Sequence, residues 1–221
     1  MDLFSDRSLK QVEASIPILR ADDVIRMNTL TSLLDYIKGK IDSMPGKMIV
    51  QVCSPTEVWL YSQLNVNRDR ENLVKVSAIV PEFSFNKFME NELFTIALQS
   101  KFIDSEDRAL VLKFSGTVED GTVTQYGDDG VSQKASVKTG IASKSDAIVP
   151  NPVTLKPYRT FLEVEQPASD FIFRMKSDKH DGIQCAIFEA DGGAWKMEAT
   201  RRIKEYLQEE LKEFSDFTII S

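Results

Sequence analysis

From Lys47 to Phe83 the chain reads KMIVQVCSPTEVWLYSQLNVNRDRENLVKVSAIVPEF, with apolar side chains recurring at every second position. This two-residue period narrows the choice of fold more than any other feature, because successive side chains of a strand point to opposite faces. Met48, Val50 and Val52 alternate with Ile49, Gln51 and Cys53, while Val58 and Leu60 alternate with Trp59 and Tyr61. Val74, Val76, Ala78 and Val80 form the next face, and Pro81 ends it. Ser54-Pro55-Thr56-Glu57 and the polar NVNRDREN read as the turns between. Connections this short join antiparallel neighbours, since a parallel pair needs a crossover of a dozen or more residues. A three-stranded meander is expected, and its apolar face requires helices to cover it.

Three- and four-residue rhythms supply those helices. In ADDVIRMNTLTSLLDYIKGKIDSM, Val24, Met27, Leu30, Leu34, Ile37 and Ile41 make one stripe. Asp22 or Asp23 is the expected cap and Pro45-Gly46 the expected stop. FSFNKFMENELFTIALQSKF reads as a second helix, with Phe85, Phe88, Met89, Ile96 and Leu98 directed to the core. AWKMEATRRIKEYLQEELKEF reads as a third, with Trp195, Ala199, Ile203, Tyr206 or Leu207, and Phe214 on its apolar stripe.

ALVLKFSGTV, PYRTFLEVEQP, DFIFRMKSD and GIQCAIFEAD read as further strands, and FTIIS as a short last one. Residues 118 to 151 are richer in Gly, Ser, Thr, Asp and Lys and suggest a hairpin-like excursion turning at Asp128-Asp129-Gly130. Residues 1 to 20 carry little pattern and are expected to form a mobile arm. The predicted class is α+β, a largely antiparallel sheet packed by about three helices, in one domain spanning residues 21 to 221.

Charge and cysteine usage bear on partners. The formal net charge of −7 opposes unspecific approach to DNA or an anionic membrane. No apolar run reaches the roughly 18 residues of a membrane helix, and MDLFSDRSLK lacks the basic start and apolar stretch of a secretory signal. A cytoplasmic location with no membrane partner is expected. Cys53 and Cys185 each sit in an apolar strand-like run and read as buried free thiols, with a disulfide as the lesser alternative. The one histidine, His180, lies in the polar turn SDKHDG, so a Cys/His zinc site and a histidine-based hydrolase both lack their residues. No cofactor is expected.

Three constellations could carry function. Asp191-Gly192-Gly193 precedes the last helix, but no Lys-Ser/Thr follows and a carboxylate there competes with any phosphate. Asp191 is expected to cap the helix, with the glycines relieving backbone strain. The second is acidic. With LEVEQ as a strand, Glu163 and Glu165 share a face with Arg159 and Phe161, and Glu189 and Asp191 lie nearby, a set able to bind magnesium. The third is basic: Lys134, Lys138 and Lys144, with Tyr126 near the hairpin tip, could track and stack a single nucleic-acid strand. Asp120, Asp128 and Asp129 interrupt that field.

Through DDGVSQKASVK, LKPYRTFLEVEQPASDFIFR and the acidic-Gly-Gly start of the last helix, the chain resembles the YfdQ-like family of phage and prophage proteins. Asp129-Gly130, the Gln166-Pro167 turn and Phe171-Ile172-Phe173-Arg174 are its more recognisable positions. The resemblance implies a phage or prophage origin and action inside a bacterium, and it carries over no catalytic residues. The preferred expectation is a non-enzymatic cytoplasmic protein that forms a homo-oligomer or binds a phage or host macromolecule. The rival is a magnesium-dependent, nuclease-like enzyme using Glu163, Glu165, Glu189 and Asp191. A weak single-strand binder using the hairpin lysines is the third.

Overall fold

A computed structural model describes residues 23–44, 46–118, 133–138, 144–178 and 182–221. The expected N-terminal arm and the Asp128-Asp129-Gly130 turn lie outside the described residues. The chain opens with strand β1 (Ile25–Met27) and helix α1 (Leu30–Lys38). The helix therefore starts later than its apolar stripe suggested. Thr29, not Asp22 or Asp23, is the cap, and its hydroxyl accepts from Ser32 N at 3.1 Å. Val24 and Met27 fit the helical rhythm by chance, since residues 25–27 are pulled into parallel pairing with a later strand, Ile25 against Val74. The helix closes at Gly39, ahead of Pro45-Gly46, and Ile41 is left exposed.

The meander forms as read: β2 (Met48–Ser54), β3 (Glu57–Ser62) and β4 (Asn72–Ser77) pair antiparallel in sequence order. Met48, Val50, Val52, Val58, Leu60, Val74 and Val76 are all buried on one face. Alternation over a half-covered sheet is the reason this segment was so legible.

The next segment departs from expectation. β5 (Met89–Glu90) precedes helix α2 (Asn91–Lys101), so Phe85 and Phe88 lie ahead of the helix rather than on it. Ile96 is exposed, whereas Phe94 and Leu98 are buried. ALVLKFSGTV is not a strand but part of helix α3 (Glu106–Thr117). A short continuous apolar run suits a buried helix as well as a strand, and the start signal decides. Ser105 Oγ accepts from Arg108 N at 3.1 Å, and Glu106 and Asp107 occupy the first turn, where the helix dipole favours acids. Val111 and Phe114, three residues apart, face inward. β6 (Lys134–Lys138) and β7 (Lys144–Ile148) then pair as an antiparallel ribbon connected through residues 139–143.

After β8 (Val153–Leu155), PYRTFLEVEQP forms irregular loop rather than the expected strand. β9 (Ser169–Asp178) and β10 (Gly182–Glu189) follow, then helix α4 (Ala194–Glu210) and β11 (Phe217–Ile220). α4 buries Ala199, Ile203 and Leu207, as its stripe predicted, while Phe214 lies beyond its end.

The described strands form two main sheets and the β6–β7 ribbon, and the fold is α+β. The first sheet has the order β1-β4-β3-β2-β11, with parallel pairing at both edges; α1 and α4 contribute to its core. The second has the order β5-β10-β9-β8, antiparallel throughout, and packs Phe171, Phe173, Met175, Cys185 and Ile187 against residues of α2 and α3. Phe94 stacks on Phe173 at 5.6 Å between centroids, and Phe85 on Phe171 at 5.6 Å. The loop between β8 and β9 ties the two together. Its Phe161 and Val164 are buried in the core of the first sheet, although the flanking strands belong to the second.

Candidate functional site

The four acidic candidates go to different partners. Glu163 accepts from Thr31 N at 3.1 Å and Thr31 Oγ1 at 3.3 Å, which pins the loop to α1. Glu165 pairs with Lys156 at 3.1 Å and Arg202 at 3.2 Å; the bond from Lys156 and the charge of Arg202 hold its carboxyl below the usual range. Because residues 162–164 are a turn, the common strand face that would have aligned these two with Arg159 does not exist. Among the described residues no three His, Cys, Asp or Glu side chains group as a metal site.

Glu189 and Asp191 do meet, around Arg159. This guanidinium is 6 % exposed, donates to Glu189 at 3.2 Å, and donates to Ser169 Oγ. Ser169 Oγ in turn donates to Asp191 at 2.6 Å. The ring centroid of Trp195 lies 3.8 Å from the guanidinium carbon and that of Phe171 5.8 Å from it, so two aromatic rings neighbour the cation. Burial lowers the Arg159 pKa to about 10, and Asp191 and Glu189 counteract it, so the group stays charged at neutral pH.

The N-cap of α4 is Gly193, not Asp191 as expected, although Asp191 two residues ahead of it serves amides of the helix start. Its carboxylate accepts from Gly193 N at 2.9 Å and Trp195 N at 3.4 Å, over Gly192 and Gly193 at φ 62° and 83°. Burial would raise its carboxyl, but the bonds from Ser169, Gly193 and Trp195 and the Arg159 charge hold it below the ordinary range. The glycine pair is thus a left-handed corner between β10 and α4 with its amides turned to a carboxylate. Ser169 is buried, and its hydroxyl is committed on both sides, which suits a clasp and leaves no room for a substrate.

A groove of about 870 Å³ lies beside α4, lined by Cys53, Pro55, Met197, Arg201, Lys204 and Ser221 among others. Cys53 is exposed, contrary to its reading as a buried thiol, because it occupies the outward position where the β2–β3 register slips. Burial, then the nearby Glu57 charge, raise its pKa, so it is no activated nucleophile. Cys185 is buried as read, and burial pushes its thiol up to about 12.

The feature with an open surface is the other face of the second sheet. Strand alternation puts Asp170, Ile172, Arg174 and Lys176 of β9, and Gln184, Ala186 and Phe188 of β10, on this face, where Asp170, Ile172 and Lys176 are exposed, Arg174, Gln184 and Phe188 part-buried, and Ala186 fully covered. Phe88 continues the register of β5 alongside Ala186, since Met89 pairs with Cys185. Phe88 and Phe188 meet edge to face at 5.8 Å, and Lys176 Nζ lies 4.7 Å from the Phe88 centroid. Phe88 is 36 % exposed and Ile172 37 %. Helices α2 and α3 contribute to the core on the opposite side.

Of the basic candidates, Tyr126 lies outside the described residues, as does His180. The ribbon register sets Lys138 across from Lys144, and Lys134 across from Ile148. Ala135 of the same ribbon is buried in the second core. Gln133, just before β6, donates through Nε2 to Met175 O at 2.6 Å and accepts at Oε1 from Met175 N at 3.0 Å, so its side-chain amide satisfies the β9 backbone at that point. Sequence reading missed the Phe88–Phe188 pair because FSFNKF resembled a helix; the only available signal was the alternation FxFxM in DFIFRMK.

Compared with family models, with curated proteins and with solved structures, the chain finds no match in any of the three.

Proposed function

We propose that this chain is a non-enzymatic binding protein whose working surface is the open face of the second sheet. The reading includes a phage or prophage origin, supported by the resemblance of DDGVSQKASVK and LKPYRTFLEVEQPASDFIFR, and a place in the bacterial cytoplasm. No helix among the described residues is long and apolar enough to cross a membrane. The observation that carries the proposal is the pairing of Phe88 with Phe188 at 5.8 Å on a sheet face that also shows Ile172 and Lys176 to solvent. A contiguous apolar patch ringed by polar groups marks an interaction surface.

If the two rings serve a partner, removing both should cost the fold less than removing one core ring of the same sheet. Phe88→Ser with Phe188→Ser is expected to cost about 2 kcal/mol in all, roughly 4–8 °C of melting temperature, since both rings are part-covered. Phe173→Ala, on the buried face of the same sheet, should instead cost about 3–5 kcal/mol. A double variant that melts as early as Phe173→Ala would make the rings core and remove the proposal.

Self-assembly by edge pairing is the second reading. It is supported by β11, whose outer edge has no strand partner among the described residues. Light scattering should then show mass rising with concentration; a strict monomer at several hundred micromolar would end this reading.

A further inference from the structure

We infer that the outer edge of β11 takes an extended acidic segment of a partner protein, added as a further strand to the first sheet. The inference is independent of the aromatic face of the second sheet, and shares only the bare edge with the self-assembly reading. β11 closes the strand order, and among the described residues no strand pairs with its far side. Phe217-Thr218-Ile219-Ile220 carries none of the features that keep an edge from pairing: no lysine, no proline and no register slip against β2. The opposite edge, β1, is three residues long and has Arg26 at its centre. A row of N–H and C=O groups at strand spacing is met by another extended backbone, which neither a helix nor a small molecule can imitate.

The flank of that edge supplies the sign of the partner. α4 packs on β2 and β11, and the groove of about 870 Å³ beside it is also lined by Ser221, just past β11. Lys196, Arg201 and Lys204 of α4 line this groove together with Met197, which is 79 % exposed. Arg201 is engaged by Glu198 and Glu205. Lys196 and Lys204 have no acidic partner among the described residues. Glu198 is the only acidic side chain among the lining residues, and Arg201 and Arg202 already hold it. On a chain of net charge −7, two lysines without acids beside a bare strand edge are a local reversal of sign.

Register fixes which side chains of the added strand meet those lysines. Phe217 and Ile219 pair with Met48 and Val50 on the face that α4 covers, whereas Thr218 and Ile220 pair with Ile49 and Gln51 on the other. An added strand obeys the same alternation. Its side chains on the α4 side come alongside the flank that carries Lys204 and should be acidic. The others lie beside Ile220, 38 % exposed, and should be apolar. A second copy is the weaker occupant. Two β11 strands paired about a two-fold axis would set both α4 flanks side by side, each with its own Lys204, and like charges oppose that contact.

The test is fluorescence anisotropy of the full chain with a labelled peptide alternating valine and glutamate. The controls are the same peptide with lysine for glutamate, and with proline for its central valines. The glutamate peptide should bind with a dissociation constant on the order of 100 μM, since a four-residue edge offers few backbone bonds. It should bind at least about fivefold tighter than the lysine peptide, and the proline peptide should not bind. Lys196→Glu with Lys204→Glu should reverse the preference while keeping the melting temperature within about 2 °C. Hydrogen exchange at residues 217–220 should slow at saturating peptide.

Equal binding of the glutamate and lysine peptides overturns the acidic partner, as does absence of binding at about 1 mM peptide. Binding that leaves exchange at 217–220 unchanged places the peptide elsewhere and overturns the inference too. A double variant that still prefers glutamate assigns the selectivity to other groups, with the same consequence. A dimer in sedimentation whose formation itself protects 217–220 gives the edge to a second copy: the self-assembly reading then stands and the acidic partner falls. None of these results bears on the Phe88–Phe188 face.

Discussion

Phe161→Ala should destabilise the protein by about 3–5 kcal/mol, among the largest losses from any single truncation in the chain. Phe161 is 1 % exposed and packs in the core of the first sheet, but it is delivered there by the irregular loop between β8 and β9. The loop cannot follow a shrunken side chain inward, because its backbone is fixed on several sides. Gln166 Oε1 accepts from Arg159 N at 2.9 Å and Thr160 N at 3.1 Å, while Gln166 Nε2 donates to Phe161 O at 3.0 Å. Thr160 Oγ1 donates to Pro55 O on the β2–β3 turn. A cavity of nearly the full ring should therefore persist, and the penalty grows with the volume that fails to collapse. Urea denaturation followed by circular dichroism measures it. A loss below about 1.5 kcal/mol would show that the loop repacks freely and is not a joint between the two cores.

The second large effect belongs to Arg159. Arg159→Met keeps bulk near Trp195 and Phe171 but strips the ion pair from Glu189 and the donor from Ser169. Breaking a buried ion pair by removing one partner costs about 3–5 kcal/mol, chiefly because the remaining groups stay desolvated without compensation. Glu189 is exposed and recovers its hydration, so a loss at or below the lower end of that range is expected. Arg159→Lys should rescue little. An ammonium cannot donate as a planar fork to Glu189 and Ser169 while lying flat on an indole. Equal stability of the lysine variant and the native chain, in the same urea titration, would show that charge alone matters and that the stacked geometry does not.

Architecture was legible where one physical signal dominated. Alternation of Met48, Val50 and Val52 with less buried neighbours reports a sheet with one better-covered face, and the α4 stripe reports one covered helix side. The segments that misled had two signals in conflict. Val24 and Met27 continue the helical rhythm of Leu30 and Leu34, but the chain before Thr29 is claimed by a strand pairing with residues 74–76, a contact no local window contains. ALVLKF is apolar enough for either state, and the Ser105 cap with its two following acids was the deciding clue. LEVEQ alternates like a strand, but Phe161 and Val164 leave for the other core and Gln166 satisfies the loop backbone that a strand ladder would have used.

For the site, the corner at Asp191-Gly192-Gly193 followed from residue types alone, since a carboxylate before a helix seeks its amides. Arg159 as the hub did not. It is 30 residues from Glu189, and only the tertiary fold brings the two within 3.2 Å. The open aromatic face was hidden for a related reason. Phe88 and Phe188 are a hundred positions apart, and each by itself passes for a core residue.

Strand β11 has a consequence for biosynthesis. It completes the first sheet by lying parallel to β2, Phe217 against Met48 and Ile220 against Gln51. During vectorial translation the nascent meander waits with one flank bare until residues 217–220 leave the ribosome. Pairing across so long an intervening stretch slows the final closure, and the interval exposes a strand edge to other nascent copies.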